Sequence, residues 1–300
     1  MASLEINIID NAALVEQPDR RQEFWSLLQA YLPEAILVAT NLGVFAPPTT
    51  WITSESAEGM AVVGVYKRYR VYPFGNPDLV SIILDHLASL PETDPSRLND
   101  EIAIVAIEEN LHIPDGFKQA MSPAKHGQTA EAVSAEYKRF ILTSDGLLEP
   151  EVVLPIEAQI NRLSSSAQLD EIEVLLTPPD GEDPSDYSQE VYFYRDRPEN
   201  GLPYVGLYLN GRLVSIAGTH GMAPDLGIAV IGDAFTNPDF RGMGFASALT
   251  HYLVKSLIEE HGVQFVGTDI RNDKPAYRLL EKLGFKLHPD LIHLRQAERV

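Results

Sequence analysis

The chain has 300 residues, no cysteine and a formal net charge of −20 at pH 7. A composition of 45% hydrophobic and 22% charged residues describes a globular protein able to bury one or two cores, and apolar stretches such as Glu34 to Phe45 fall short of the roughly 20 residues that span a bilayer. Without cysteine there are no disulfides, thiolate nucleophiles or Cys-based metal sites, and the acidity argues against a nucleic-acid backbone as partner while suiting a cationic or amine-bearing one.

The amino terminus, MASLEINIIDNAALVEQPDRR, has no basic cluster leading into an apolar region, so the cytoplasm is the expected compartment. Asp19 to Ala30 carries Phe24, Leu27 and Leu28 at helical spacing. Met60 to Tyr66 and Arg70 to Phe74 read as strands, and the interleaved run Tyr66-Lys67-Arg68-Tyr69-Arg70 reads as alternation in a strand rather than a nucleic-acid patch. Asn76 and Pro77 open a helix whose predicted face is Leu79, Ile82, Ile83, His86 and Leu87. Ile102 to Ile107 and Tyr137 to Thr143 add two strands, so the first half is a mixed α/β unit.

Ser144 to Pro155 is rich in turn formers and acidic residues and is the expected seam between a domain at 1–150 and a second at 155–300. Ala158 to Leu163 then reads as a strand, Ala167 to Leu176 as a helix, and Thr177 to Asp186 as an acidic, Pro-rich loop. Two strands, Tyr204 to Leu209 and Leu213 to Ala217, flank Asn210-Gly211, a pair that supplies the two positive φ angles of a type I′ hairpin turn. Gly227 to Thr236 follows as a strand. A helix carries Phe245, Leu249, Tyr252, Leu253 and Leu257 on one face and stops at Gly262; Gln264 to Asp269 is a strand, and a last helix runs from Asp273 to Leu283 with Gly284 beyond it. No repeat of fixed short period is visible.

The segment Thr236-Asn237-Pro238-Asp239-Phe240-Arg241-Gly242-Met243-Gly244-Phe245-Ala246 lies between a strand and an amphipathic helix. Glycines remove side chains where a ligand must reach backbone N–H groups, and the helix start adds free donors and the positive end of a dipole, which together suit a diphosphate. The spacing is not that of a P-loop, which needs G-x-x-x-x-G-K-[ST], nor that of a dinucleotide-binding loop, since Ser247 stands three residues beyond Gly244.

Arg241-Gly242-Met243-Gly244-Phe245-Ala246 resembles the Q/R-x-x-G-x-G/A signature of GNAT acyltransferases. The run Ile231 to Arg241 is similar to the strand and turn preceding it, particularly in the glycine N-acyltransferase-like branch, and Ala276, Leu279 and Glu281 to Phe285 resemble the family's closing helix and strand. The resemblance spans about residues 158 to 296. It implies an α/β (α+β) GNAT fold with a mixed, mostly antiparallel sheet flanked by helices, behind a smaller mixed α/β supporting domain that is either a degenerate GNAT-like half or a separate recognition module. It also implies acetyl-CoA, or another short acyl-CoA, with its pantetheine beside Ala234, Phe235 and Thr236 and its pyrophosphate on Arg241, Gly242, Met243, Gly244, Phe245 and Ala246.

An amine of a small molecule or peptide would attack the thioester directly, with a backbone N–H near Phe235 stabilising the oxyanion and a base accepting the proton. Asp233 and His220 are the candidate bases, Asp233 on the same strand side as Phe235 and opposite Ala234, His220 at a strand end or turn. Leu280 stands where the family usually has a thiolate-protonating tyrosine, and Tyr277, one turn earlier, is the candidate replacement. Asn272, beside Asp273, and Tyr277 are candidate cofactor contacts. A metal is not expected, since His288 and His293 fall on opposite faces of an extended segment without a third ligand. A catalytically reduced acyl-CoA-binding or scaffold protein is the alternative function.

Overall fold

Runs of β-branched residues between turn formers shape the sheets of this protein, whose computed structural model describes residues 6–32, 35–42, 49–57, 59–106, 112–121, 134–178, 195–271 and 276–300. Two units make up the chain: Met1–Arg139 with Arg271–Asp273 and His288–Val300, and Phe140–Ile270 with Lys274–Leu287.

The first unit contains β1 (Ile6–Asp10), α1 (Asn11–Val15), α2 (Pro18–Gln29), α3 (Ile36–Ala39), β2 (Thr49–Ser56), β3 (Gly59–Tyr66), β4 (Arg70–Gly75), α4 (Pro77–Ser89), β5 (Glu101–Ala106), β6 (Phe117–Gln119) and the start of β7 (Ser134–Thr143). β1 through β4 pair antiparallel in chain order, and β5 returns parallel to β4 through Arg70↔Ala103 and Val71↔Ile104. The parallel return needs a crossover, which α4 supplies. Asn76 caps α4, its side chain accepting from the N–H groups of Asp78 at 3.0 Å and Leu79 at 3.1 Å. The buried stripe of α4 is Leu79, Val80, Ile83, Leu84, Leu87 and Ala88, packed on Ile52, Val63, Val65, Val71 and Ile104. Ile82 and His86 of the predicted face lie outside it, because the helix buries neighbouring pairs in each turn against a sheet rather than one narrow row.

The basic-aromatic run is a turn, not an alternating strand. Lys67 and Arg68 adopt φ of 48° and 65°, so the chain reverses between Tyr66 and Arg70, which pair across β3 and β4. The last strand of the chain, β13 (Lys286–Arg299), pairs antiparallel with β5 from His293↔Ala106 to Glu298↔Glu101 and with β6 from Ala297↔Gln119 to Arg299↔Phe117.

In the second unit, β8 (Ala158–Arg162), α5 (Ser166–Leu176), α6 (Asp196–Glu199), β9 (Tyr204–Leu209), β10 (Arg212–Ala223), β11 (Ile228–Thr236), α7 (Phe245–His261), β12 (Phe265–Arg271) and α8 (Tyr277–Lys282) follow one another. β8, β9, β10 and β11 are antiparallel in order, and β12 lies parallel to β11. Asn210 and Gly211, at φ of 51° and 77°, form the expected hairpin turn between β9 and β10. Both units therefore use one plan: four antiparallel strands, a helix after the fourth, and a fifth strand parallel to the fourth.

α7 buries Phe245, Leu249, Leu253, Val254 and Leu257, each contributing about 1.5–3 kcal/mol of apolar burial, while Tyr252 stays exposed. Gly262, at φ 68°, ends it as expected. The segment after β7 is bonded within this unit, Ser144 N–H to the Gln264 carbonyl at 2.9 Å and Leu148 N–H to that of Leu283 at 3.0 Å. Most of the acidic 177–186 loop lies outside the described residues.

Candidate active site

The site grows from two irregularities in the β10–β11 ladder. Between Ile216↔Phe235 and Gly218↔Gly232, β11 carries two residues, Asp233 and Ala234, against the single Ala217 of β10. Between Thr219↔Ile231 and Gly221↔Val230, β10 carries one extra residue, His220. Extra residues break pairing and re-aim side chains, so the alternation expected through Asp233 does not hold. Asp233 instead takes φ 50°, a left-handed conformation that disfavours a non-glycine residue by on the order of 1 kcal/mol. His220 sits inside a strand that continues to Ala223, not at a strand end.

Both candidate bases are thereby brought into one hydrogen bond, His220 Nε2 to Asp233 Oδ1 at 2.8 Å. Oδ2 of the same carboxylate accepts from Arg197 Nη1 at 3.0 Å and from the Tyr204 hydroxyl. The Asp233 side chain is 5% exposed and that of His220 32%. Burial alone would raise the Asp233 carboxyl, but the facing His220 and Arg197 and the Tyr204 donor outweigh it and hold the group below its ordinary range. Burial, with the Asp233 charge beside it, pushes the Tyr204 phenol far up, so it stays a donor. A carboxylate only accepts, so the neutral imidazole carries its proton on Nε2 and leaves Nδ1 as its lone-pair nitrogen.

Two glycines make room for the rings. A Cβ on Gly232 would lie 2.2 Å from His220 Nε2, and one on Gly218 would lie 2.3 Å from Tyr204 Cε1. Gly232→Ala is therefore expected to push the imidazole off Asp233 and to destabilise the fold by about 1–3 kcal/mol, read from urea unfolding. An unchanged midpoint would show that the ring yields without loss.

The second half of the site lies where β11 and β12 part. Their pairing runs from Ile228↔Phe265 to Val230↔Gly267, and Ala234 beyond it is exposed. Phe235 packs inward with Tyr204, Leu213, Ile216 and residues of α5, while Ser215 Oγ donates to the Phe235 carbonyl at 2.9 Å and lies 2.8 Å from Thr236 Oγ1. Asn237 accepts from Asp239 N–H and Phe240 stacks on Phe245, fixing the turn. Gly242 and Gly244 both take φ 80°. Gly244 is the N-cap residue of α7, and among the described residues no side chain caps that end, so the protein leaves first-turn N–H donors there for a ligand to meet. A Cβ on Gly242 would meet nothing within 4 Å, whereas one on Gly244 would lie 2.8 Å from Val152. Arg241 turns back, its Nε on the Thr236 carbonyl at 3.3 Å and its guanidinium 6.0 Å from the Phe235 ring centre; Arg241, Gly242 and Met243 are exposed and Ala246 half-buried.

Tyr277 opens α8 half-buried, beneath Arg278, and Leu280 is buried at 5% exposure, with no group able to move a proton. Asn272 and Asp273 lie outside the described residues. Sequence reasoning missed Arg197 and Tyr204, which are 36 and 29 residues from Asp233 and share no motif with it. The available signal was Asp233 itself, since a carboxylate inside a sheet strand requires charged or donor partners.

An open helix N-terminus behind a glycine turn, beside a parted parallel strand pair, suits an anionic ligand. Residues 168–285 match the family model of the Acetyltransferase (GNAT) family, and the protein is an acyltransferase whose GNAT acetyltransferase region occupies those residues. A search of curated proteins finds no matching relative. Among solved structures, a Drosophila protein is similar over 98% of both chains at 11% identity with a TM-score of 0.57. A tandem GNAT protein from the clavulanic acid biosynthesis pathway is similar over 98% of both chains at 13% identity, TM-score 0.56. A GCN5-related N-acetyltransferase from Kribbella flavida, 14% identical with a TM-score of 0.53, is covered to 95% by 88% of this chain. At these identities the likeness is one of fold. Among the described residues, no helix is long and apolar enough to cross a membrane.

Proposed function

We propose that the enzyme moves an acetyl or other short acyl group from acyl-CoA to an amine of a small molecule or peptide by direct attack, as a member of the glycine N-acyltransferase-like branch acting in the cytoplasm. The observation that carries this reading is the uncapped N-terminus of α7, reached through Gly242 and Gly244 and set beside the exposed Ala234. Backbone N–H groups of Arg241 to Ala246 would hold the pyrophosphate, Ala234 to Thr236 the pantetheine, and Tyr277, with Asn272 beyond the described residues, further parts of the carrier. The fit is supported by the empty space around Gly242, where a side chain would otherwise stand.

Acyl-CoA supplies an activated thioester carbonyl. The amine nitrogen forms the new C–N bond, the C–S bond breaks, and the proton shed by the amine goes to Nδ1 of His220. Asp233, buried and already engaged by three donors, serves better as the group that orients His220 than as the proton acceptor. Tyr277 remains the proposed proton donor to the departing sulfur.

The first unit is proposed as a second GNAT-like half that does not take the cofactor. Its strand order and its helix after the fourth strand repeat those of the second unit, and likeness to a tandem GNAT protein along nearly the whole chain supports this reading. The equivalent helix, α4, has its N-terminal N–H groups occupied by Asn76, whereas α7 has Gly244 there. Isothermal titration with acetyl-CoA is accordingly expected to give one site per chain, with free thiol released when an accepted amine is added. Two equivalent sites would overturn the assignment of α4, and no binding by acetyl-CoA, longer acyl-CoAs or CoA would overturn the functional reading.

A further inference from the structure

The Asp233 carboxylate divides its contacts by oxygen. Among the described residues Oδ1 is bonded by His220 alone, at 2.8 Å from Nε2, while Oδ2 receives both Arg197 Nη1 and the Tyr204 hydroxyl. Arg197 reaches Oδ2 from α6, a segment fastened to α5 by a second arginine: Arg195 bonds Asp170 at 2.7 Å and Ser166 Oγ at 2.9 Å on α5, and Glu199 at 2.9 Å on α6 itself. Tyr204 reaches it from β9 through the space left by Gly218. The arginine side chain is 18% exposed, so solvent screens its charge only partly.

Resting on the reading of His220 as proton acceptor, we propose that Arg197 and Tyr204 are positioning residues for acyl transfer: they clamp Asp233 by Oδ2 and offset its charge, leaving His220 oriented by Oδ1 with its other ring nitrogen turned to the proton it accepts. A lone buried aspartate beside an imidazole favours the imidazolium, which is useless as a base. A guanidinium on the far oxygen weakens that preference while keeping the carboxylate ionised. The ionisable groups bonded to the pair among the described residues are Arg197 from α6 and Tyr204 from β9, with Asp233 itself on β11 and His220 on β10.

The sign follows from charge. Removing Arg197 leaves Asp233 fully facing the imidazolium, so a higher pH is needed to release the proton. In Arg197→Met the acid limb of kcat/KM against pH is expected to move up by about one pH unit, with activity recovering at high pH and the KM for acyl-CoA unchanged. Arg197→Lys restores much of the wild-type profile, and Tyr204→Phe moves the limb in the same direction by less. Should Arg197→Met fail to fold, Tyr204→Phe carries the test. Profiles of the variants superimposable on the wild type, whatever their height, would reduce both residues to structural roles. Ring-carbon NMR of His220 across pH, without acyl-CoA, reads the same shift independently of turnover. An upward shift there in a protein that binds no acyl-CoA would retain the electrostatic coupling while sinking the transferase reading; no shift in an active enzyme would do the reverse.

Discussion

Gly242→Asp is expected to remain folded and to lose the thermal stabilisation that acetyl-CoA confers on the wild type. The position is suited to the test because a side chain there meets nothing within 4 Å, and aspartate tolerates the φ of 80° at a cost of about 1 kcal/mol. Its carboxylate would stand among the N–H groups at the start of α7, where the pyrophosphate is proposed to bind, and like charges would compete for one set of donors. A ligand that binds only the native state stabilises it by about 2.7 kcal/mol at a hundredfold excess over its Kd, so the melting temperature should rise clearly in the wild type and stay flat in the variant. Equal rises in both proteins would place the cofactor elsewhere. Gly244 is the poorer choice, since Val152 occupies the space its Cβ would need and misfolding would mimic lost binding.

His220→Gln is expected to lower kcat by about 100- to 10,000-fold while leaving acyl-CoA affinity intact. Glutamine retains a donor for Asp233 Oδ1 and so spares the buried carboxylate from losing a partner, which would otherwise destabilise the fold. It has no nitrogen able to take a proton. Single-turnover thiol release at saturating amine, with acyl-CoA binding measured in parallel, separates the two effects. A kcat close to wild type would assign the proton to water or to another group and leave His220 as a structural link between β10 and β11.

The two variants act on different parts of the site, and those parts were not equally legible. The turn at residues 236 to 246 could be read because every element in it is local: a strand end, a turn and a helix start lie within one short stretch, and glycine at two positions reports backbone geometry directly. The type I′ turn at Asn210-Gly211 and the Asn76 cap were legible for the same reason. The face of α4 was misjudged at Ile82 and His86, because which side of a helix is buried depends on the sheet beneath it. Tyr66 to Arg70 was misread because a hairpin built on Lys67 and Arg68 lacks the glycine or asparagine that usually announces one.

From the sequence alone came the α/β fold class and the glycine turn, which rest on hydrophobic period, capping and turn chemistry between near neighbours, and the acyltransferase reading, which rests on the resemblance of Arg241 to Ala246 to a family signature. Tertiary structure decided the rest. It drew Arg197, Tyr204 and His220 around the Asp233 carboxylate, since strand register and two ladder irregularities, not chain distance, set which side chains meet. It also brought the C-terminal strand β13 onto β5 and revealed the same strand plan in both units, because pairing partners in a sheet are chosen by the assembled core and leave no local mark on the residues that pair.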